Sequence, residues 1–277
     1  MTKFSNKGKY KMKLKAEGVL RKMRSRLEPV VAYEMSLSEE YVQINEMIGK
    51  DLRLEFSDEI FCVDCGRKTS KSFNQGYCFP CFQKLQGFFT CLIHPEKCRC
   101  DEGTCFQDHI VYLANSSGLK VGITRSTQVP TRWVDQGAVQ ALPIARVRTR
   151  LQSGMLEVMF KQHVADKTNW REMLKGEPAE LDMQAEAKTL LSLCEEELVE
   201  LETHLGKHAI SLINGVKSTH IKYPVEEYPT KISSFNFDKN NVVEGTLAGI
   251  KGQYLLLDSG VINLRKFSGY NVSLYVD

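Results

Sequence analysis

HIVYLANSSGLKVGITRSTQVPTRWVDQGAVQALPIARVRTRLQSGMLE, residues 109–157, is the stretch that decides the fold. Two apolar runs, 109–114 and 119–125, flank the turn-type residues NSSG at 115–118 and read as a β-hairpin. Tyr112 falls near the end of the first strand, and Lys120, Gly122 and Arg125 fall on the second. Ser126, Thr127 and Pro130 are helix-start residues, which places Arg132 in the first turn of a short helix. Residues 144–150 alternate, so a strand there turns Arg146, Arg148 and Arg150 to one face. Three arginines on one face repel one another unless an anion lies across them, or acids from elsewhere in the chain cover them. Glu157 is expected near the start of a second helix that buries Leu156, Met159, Phe160 and Val164.

Outward from this unit, composition is that of an ordinary globular chain, with 42% hydrophobic and 26% charged residues over 277 positions. No apolar run reaches the roughly 18–20 residues that span a bilayer, and the basic N-terminus lacks the apolar core of a signal peptide. The expectation is a cytoplasmic protein with no membrane partner. The net charge of +3 conceals an asymmetry. Residues 1–30 carry ten Lys/Arg against Glu17 and Glu28, and residues 109–175 carry ten against four acids. Residues 177–205 carry nine acids against Lys188. Two basic zones beside an acidic one suit an anionic polymer, although charge runs are often only solvated faces.

Eight of nine cysteines fall within residues 62–105. Cys62-x2-Cys65 and Cys78-x2-Cys81 are two knuckle pairs whose turns aim four sulfurs at one ion, so structural zinc is expected. A second set follows with irregular spacing: Cys91, His94, Cys98, Cys100, Cys105 and His109. Four of these could hold a second zinc, with Cys91, Cys98 and Cys105 joined by Cys100 or His94; His109 could instead point at the central cleft. One zinc is thus expected and two are possible.

The two ends of the chain look alike. Glu17-Gly18 and Glu244-Gly245 each open a strand, and Ile44-Asn45 and Ile262-Asn263 each follow a hairpin-like run. The pattern suggests two copies of a small β unit that pack together, or a chance similarity of strand–turn–strand sequences. A single acidic helix is expected over 180–205, with Met183, Ala187, Leu190, Cys194, Leu198 and Leu201 inward.

The order tyrosine strand, Lys-x-Gly strand, arginine helix, glutamate helix resembles the GIY-YIG nuclease superfamily, in the variant with lysine in the second motif. The chain as a whole resembles the family called domain of unknown function 2797, through KSFNQGYC, NSSGLKVGITR, PTRWVDQGA, DKTNWREML and GIKGQYL. The fold class so implied is α+β: a small GIY-YIG-like α/β domain, a zinc-binding module before it, and small β units at both chain ends. The corresponding divisions are 1–58 for a basic arm and β unit and 59–108 for the cysteine module. The GIY-YIG-like domain then takes 109–210, a connector 211–241 and the last β unit 242–277. The nuclease resemblance implies phosphodiester hydrolysis. Glu157 would hold Mg²⁺, Arg132 would brace the phosphate, Tyr112 would act as base or position water, and Lys120 would lower the tyrosine pKa or touch the phosphate. Arg125, Arg146, Arg148 and Arg150 would bind DNA or RNA. Lys120 replaces the usual second tyrosine, and Gln136 stands where nucleases often carry His or Tyr. A catalytically inactive nucleic-acid-binding or ribosome-associated module is therefore the alternative, and an adaptor using the acidic helix a weaker one.

Overall fold

The computed structural model describes residues 12–88, 94–100 and 103–277. In chain order the first part holds β1 (Lys13–Val19), β2 (Arg24–Arg26), β3 (Ala32–Leu37), β4 (Glu40–Gln43), β5 (Asp51–Phe61), β6 (Lys68–Thr69) and α1 (Phe79–Phe88). The central part holds β7 (His109–Asn115), β8 (Leu119–Arg125), α2 (Thr131–Asp135), β9 (Gln140–Val147) and α3 (Arg150–Phe160), then α4 (Trp170–Lys175), α5 (Met183–Leu193) and α6 (Glu195–Leu205). The last part holds β10 (Ile210–Leu212), β11 (Thr219–His220), β12 (Val242–Lys251), β13 (Tyr254–Leu257), β14 (Gly260–Asn263) and β15 (Tyr270–Val276). The fold is α+β, with antiparallel sheets and separate helices. No helix among the described residues is long and apolar enough to cross a membrane.

The strands from both chain ends form one sheet in the order β1-β15-β5-β12-β13-β14. Its pairing shows that the similar ends are an internal repeat. Each copy runs strand, hairpin, 3-10 helix, glycine, strand: β1, β3–β4, Asn45–Met47, Gly49 and β5 in the first; β12, β13–β14, Leu264–Phe267, Gly269 and β15 in the second. The copies exchange partners. β1 pairs with β15, β12 pairs with β5, and the two final strands pair with each other about Leu54↔Leu274. Gly49 (φ 82°) and Gly269 (φ 91°) take left-handed turns that few other residues enter cheaply. Their N–H groups donate to the Leu247 and Leu20 carbonyls, each at 2.8 Å. The same bond in both copies relates the ends by a pseudo-two-fold axis.

The central sheet has the order β10-β9-β7-β8. Every residue of β7 is buried, which explains why HIVYLA is a continuous apolar run and not an alternating one. Val111 and Leu113 face a core made with α3 and α5, while Ile110, Tyr112 and Ala114 face the core shared with the terminal sheet. One strand thus carries two cores.

Local structure departs from expectation in three places. The 144–150 strand ends at Val147, and Arg150 begins α3, because Thr149 and Gln152 form a reciprocal cap on the helix start. Arg146, Arg148 and Arg150 therefore do not share a strand face. Glu157 lies toward the end of α3, not near its start. The 180–205 helix breaks at buried Cys194 (φ −109°, ψ 18°), and Glu195, Glu196 and Glu197 fill the first turn of α6. Part of the acidic run is thus a helix N-terminus, where negative charge is favoured.

Leu274→Ala removes the residue on the pseudo-axis. It is expected to cost about 2–5 kcal/mol in urea denaturation, and both chain ends should unfold in one transition, since they share the sheet. Two resolved transitions would separate the copies.

Candidate functional site

The two knuckle pairs come together. The sulfurs of Cys62, Cys65, Cys78 and Cys81 all lie within 4.8 Å of one another. Cys65 and Cys78 sulfurs are 3.8 Å apart, about the edge of a tetrahedron with the ~2.3 Å arms of zinc–thiolate bonds. Burial pushes the Cys62 thiol up, but donation from the Cys78, Cys65 and Asp64 amides outweighs it and brings it down to about 6. Those amides favour the thiolate that a metal requires. The residues present fit a zinc ion. Cys98, Cys100 and Cys105 form a second group within 4.8 Å, equally of zinc-ligating type. Cys91, expected to complete it, lies outside the described residues. His94 is exposed and pairs with Glu96 at 3.1 Å. His109 is buried with its Nδ1 2.7 Å from the Gln107 carbonyl oxygen, so it does not face the cleft as an open side chain.

The second cysteine group sits against α3. Cys98 and Cys105 pack on Leu151 in its first turn. One turn on, the helix meets the 3-10 helix Pro95–Lys97 so closely that a Cβ on Gly154 would lie 2.3 Å from the Glu96 nitrogen. Glycine is required there for the approach.

The same face of α3, with Pro95 beside it, borders a cleft of about 360 Å³. Lys120 comes to it from β8, Arg132 from α2, and Arg150 and Glu157 from α3. Three of the four residues named by the motif order, Lys120, Arg132 and Glu157, thus line one space. Tyr112 lies beneath it. Its ring packs under Gly122, where a Cβ would come 2.7 Å from the phenol oxygen, and its hydroxyl donates to Gln136 Oε1 at 2.9 Å. The glycine of Lys-x-Gly is there to admit the tyrosine ring. Burial pushes the Tyr112 phenol up to about 12, with Arg132 pulling the other way. That is the opposite of what a base needs at neutral pH, and the group positions Gln136.

Of the expected arginines, Arg125 and Arg150 line the cleft. Arg146 is exposed and lies 3.6 Å from Asp108, and Arg148 is also exposed; neither lines the cleft.

Other contributors could not be read locally. Asp166 lines the cleft opposite Glu157 because the Val121 amide bonds to the Ala165 carbonyl at 2.8 Å, drawing that loop onto β8. DKTNWREML contains it, so a signal existed. Lys22 and Arg265 arrive from the two repeat copies. Lys22 is placed by Gln253, which is buried and accepts from the amide of neighbouring Met23 (2.9 Å) while donating to the Met23 carbonyl (3.2 Å) and to Asp135 (3.0 Å). Asp135 also pairs with Lys22. In GIKGQYL, then, Gln253 latches the terminal sheet to α2. Buried Lys251 donates to the Gly176 carbonyl at 2.9 Å.

The electrostatics favour an anion. The cleft is lined by six cationic side chains (Lys22, Lys120, Arg125, Arg132, Arg150, Arg265) and three acids. Arg132 has no carboxylate within 4 Å among the described residues. Burial, with Arg132 next, brings Lys120 down to about 8 against the pull of Glu157 and Asp166. Burial and then Asp166 hold Glu157 above the usual carboxylate range.

Fold and site define an α+β protein with two cysteine groups of zinc-ligating type and a basic cleft. The chain belongs to the family described as Protein of unknown function (DUF2797), whose pattern matches residues 49–272. The match takes in every cleft residue named here but Lys22. No curated protein and no solved structure matches the chain.

Lys120 is held charged at a cost. The fall from 10.5 to about 8 corresponds to about 3 kcal/mol against the charged form at pH 7. The cost is fully present below pH 8 and vanishes as pH rises past the unfolded-state value. Lys120→Met should therefore stabilise the protein by up to about 3 kcal/mol at pH 7, and the gain should shrink to near zero by pH 10.5. Chemical denaturation at both pH values measures it; a destabilised variant at pH 7 would contradict the account.

Proposed function

We propose that this is a zinc-containing nucleic-acid-binding protein whose central cleft hydrolyses phosphodiesters with a divalent metal. The observation that carries the reading is the meeting of Lys120, Arg132 and Glu157 in one cationic cleft, in the order of the nuclease motif and over a buried tyrosine. Arg132 and Arg150 present forked donors that suit a phosphate's non-bridging oxygens. Glu157 and Asp166 are the carboxylates that would hold an ion such as Mg²⁺, which keeps most of its waters and needs few protein ligands. When bound it would supply charge neutralisation and an activated water. Lys120, brought down to about 8, exchanges a proton near neutral pH beside the phosphate site. Tyr112 holds Gln136 and acts from below the cleft floor.

A second reading, a binding module without hydrolysis, is favoured by one observation: the Tyr112 hydroxyl is engaged by Gln136 and lies under Gly122, away from the lining.

Labelled single-stranded DNA, duplex DNA and tRNA, incubated with Mg²⁺ or EDTA, decide between them. Hydrolysis should require Mg²⁺ and fall at least about a hundredfold in Glu157→Ala with binding kept. Arg132→Ala should weaken binding as well. Salt-sensitive binding with no cleavage would select the module, and failure to bind any of the three would overturn both.

For the cysteine groups, elemental analysis should find two zinc ions per chain, falling to one in Cys78→Ser. Less than one in the unmodified protein would overturn the zinc assignment.

A further inference from the structure

A second cleft, of about 540 Å³, opens between the first repeat copy and the cysteine module. Arg21, Lys22 and Arg24 line one side, with Tyr41 from β4, and Tyr77 and Arg265 line the other. No carboxylate is among its lining residues in the described part of the chain. Glu34, opposite Arg24 across the β2–β3 ladder, is engaged by Arg26 at 2.6 Å and Gln43 at 2.7 Å. Lys22 and Arg265 line this cleft and the central one alike, so the two spaces share a cationic wall.

We propose that the two clefts form one track for a single-stranded nucleic acid, which enters between the cysteine module and the first β unit and passes Lys22 and Arg265 into the central cleft. The proposal rests on the phosphodiester reading of that cleft.

Three observations carry it. First, the charged residues lining the second cleft are all cationic, and Arg265, which lines both spaces, carries that charge into the central cleft past the Lys22–Asp135 pair, as a backbone track requires. Second, the Arg24 guanidinium lies 3.8 Å from the Tyr41 ring centroid, and both side chains are exposed. Arg24 also donates to the Tyr41 hydroxyl at 2.7 Å, and an exposed, fixed arginine–tyrosine pair offers a surface on which any base can stack. An acidic peptide would use the charge but not that surface. Third, the walls are fixed. Arg21 donates to the Val63 carbonyl inside the first knuckle at 3.4 Å, and Arg265 Nε donates to Gln75 at 2.8 Å. Each guanidinium has five N–H donors and spends one on these contacts, leaving a fork for phosphate. A recess of this size is that of a small-molecule pocket. It admits unpaired nucleotides one or two at a time, not a duplex.

The test compares a dinucleotide with a single-stranded twelve-mer, as oligothymidylate and oligouridylate, by fluorescence anisotropy on the full chain. The expected result is that the unmodified protein binds the twelve-mer at least about tenfold tighter, and that the Arg24→Ala/Tyr41→Ala variant loses this gain. Arg21→Gln, which removes one phosphate fork, should show a salt slope shallower by about 0.7, the value for one phosphate contact on a single strand. Arg24→Gln alone, at an exposed position, should lose part of the gain and guards against misfolding. Twelve-mer binding unchanged in both Arg24 variants overturns the track. If Arg132→Ala weakens both ligands while the track variants weaken neither, only the track has failed; if Arg132→Ala weakens neither, the cleft reading has failed. A duplex twelve-mer that binds as tightly and is weakened as much would overturn the single-strand assignment. Polyglutamate competing as well as the oligonucleotide at equal charge would overturn the nucleic-acid assignment.

Discussion

β7 is buried on both faces, and that constraint organises the molecule. Alternate residues of one seven-residue strand, His109–Asn115, serve two different cores. The helix-side core, with Val111 and Leu113, fixes α3 and so sets where Arg150 and Glu157 point. The other core, with Ile110, Tyr112 and Ala114, joins α2 to the sheet built from both chain ends. Moving β7 by one residue would exchange these faces. It would turn Tyr112 toward the helices and take the floor out of the cleft. The register is held on both sides, by Tyr112↔Gly122 on β8 and Tyr112↔Pro143 on β9.

The terminal sheet is costly to assemble. β5 and β15 lie more than 200 positions apart in sequence, and their pairing must close that loop before it gains any contact. What it gains is a partner-exchanged pair in which neither copy completes its own sheet. A strand pair alone is marginal in water, whereas six strands with a shared apolar face are not. The exchange also explains how residues from both ends reach a site in the middle of the chain. Lys22 sits in the segment between β1 and β3 that the second copy lacks. Arg265 sits in the second copy's 3-10 helix.

How much of this was legible depended on range. The knuckle cysteines were, because their geometry is set within a few residues. The hairpin and the placement of Lys120, Gly122 and Arg132 were legible for the same reason, as were the end strands and their similarity. The Thr149-x-x-Gln152 cap was present in the sequence but outweighed by the alternation of arginines, which moved the end of β9 by three residues and displaced Glu157 along its helix. The break at Cys194 was masked because both helices keep an inward apolar stripe across it. Asp166 had a signal in DKTNWREML but none for its place, and Lys22 and Arg265 had neither, because each reaches the cleft through a tertiary contact: a strand-edge bond at Ala165, the Gln253 latch, and the swapped repeat.

The latch bears directly on the cleft's sign. Asp135 follows Arg132 by three residues on α2 and would oppose its charge if left to itself. Gln253 donates to one Asp135 oxygen and Lys22 pairs with the other, so both oxygens of the carboxylate are engaged. A half-satisfied carboxylate in that position, only 4% exposed, would take its missing partner from the nearest guanidinium. The terminal repeat therefore does more than support the central sheet: through Gln253 it helps hold the Asp135 carboxylate at the cleft. Because Lys22 and Asp135 neutralise each other, the remaining excess lies with Lys120, Arg125, Arg132, Arg150 and Arg265, around the carboxylates of Glu157 and Asp166.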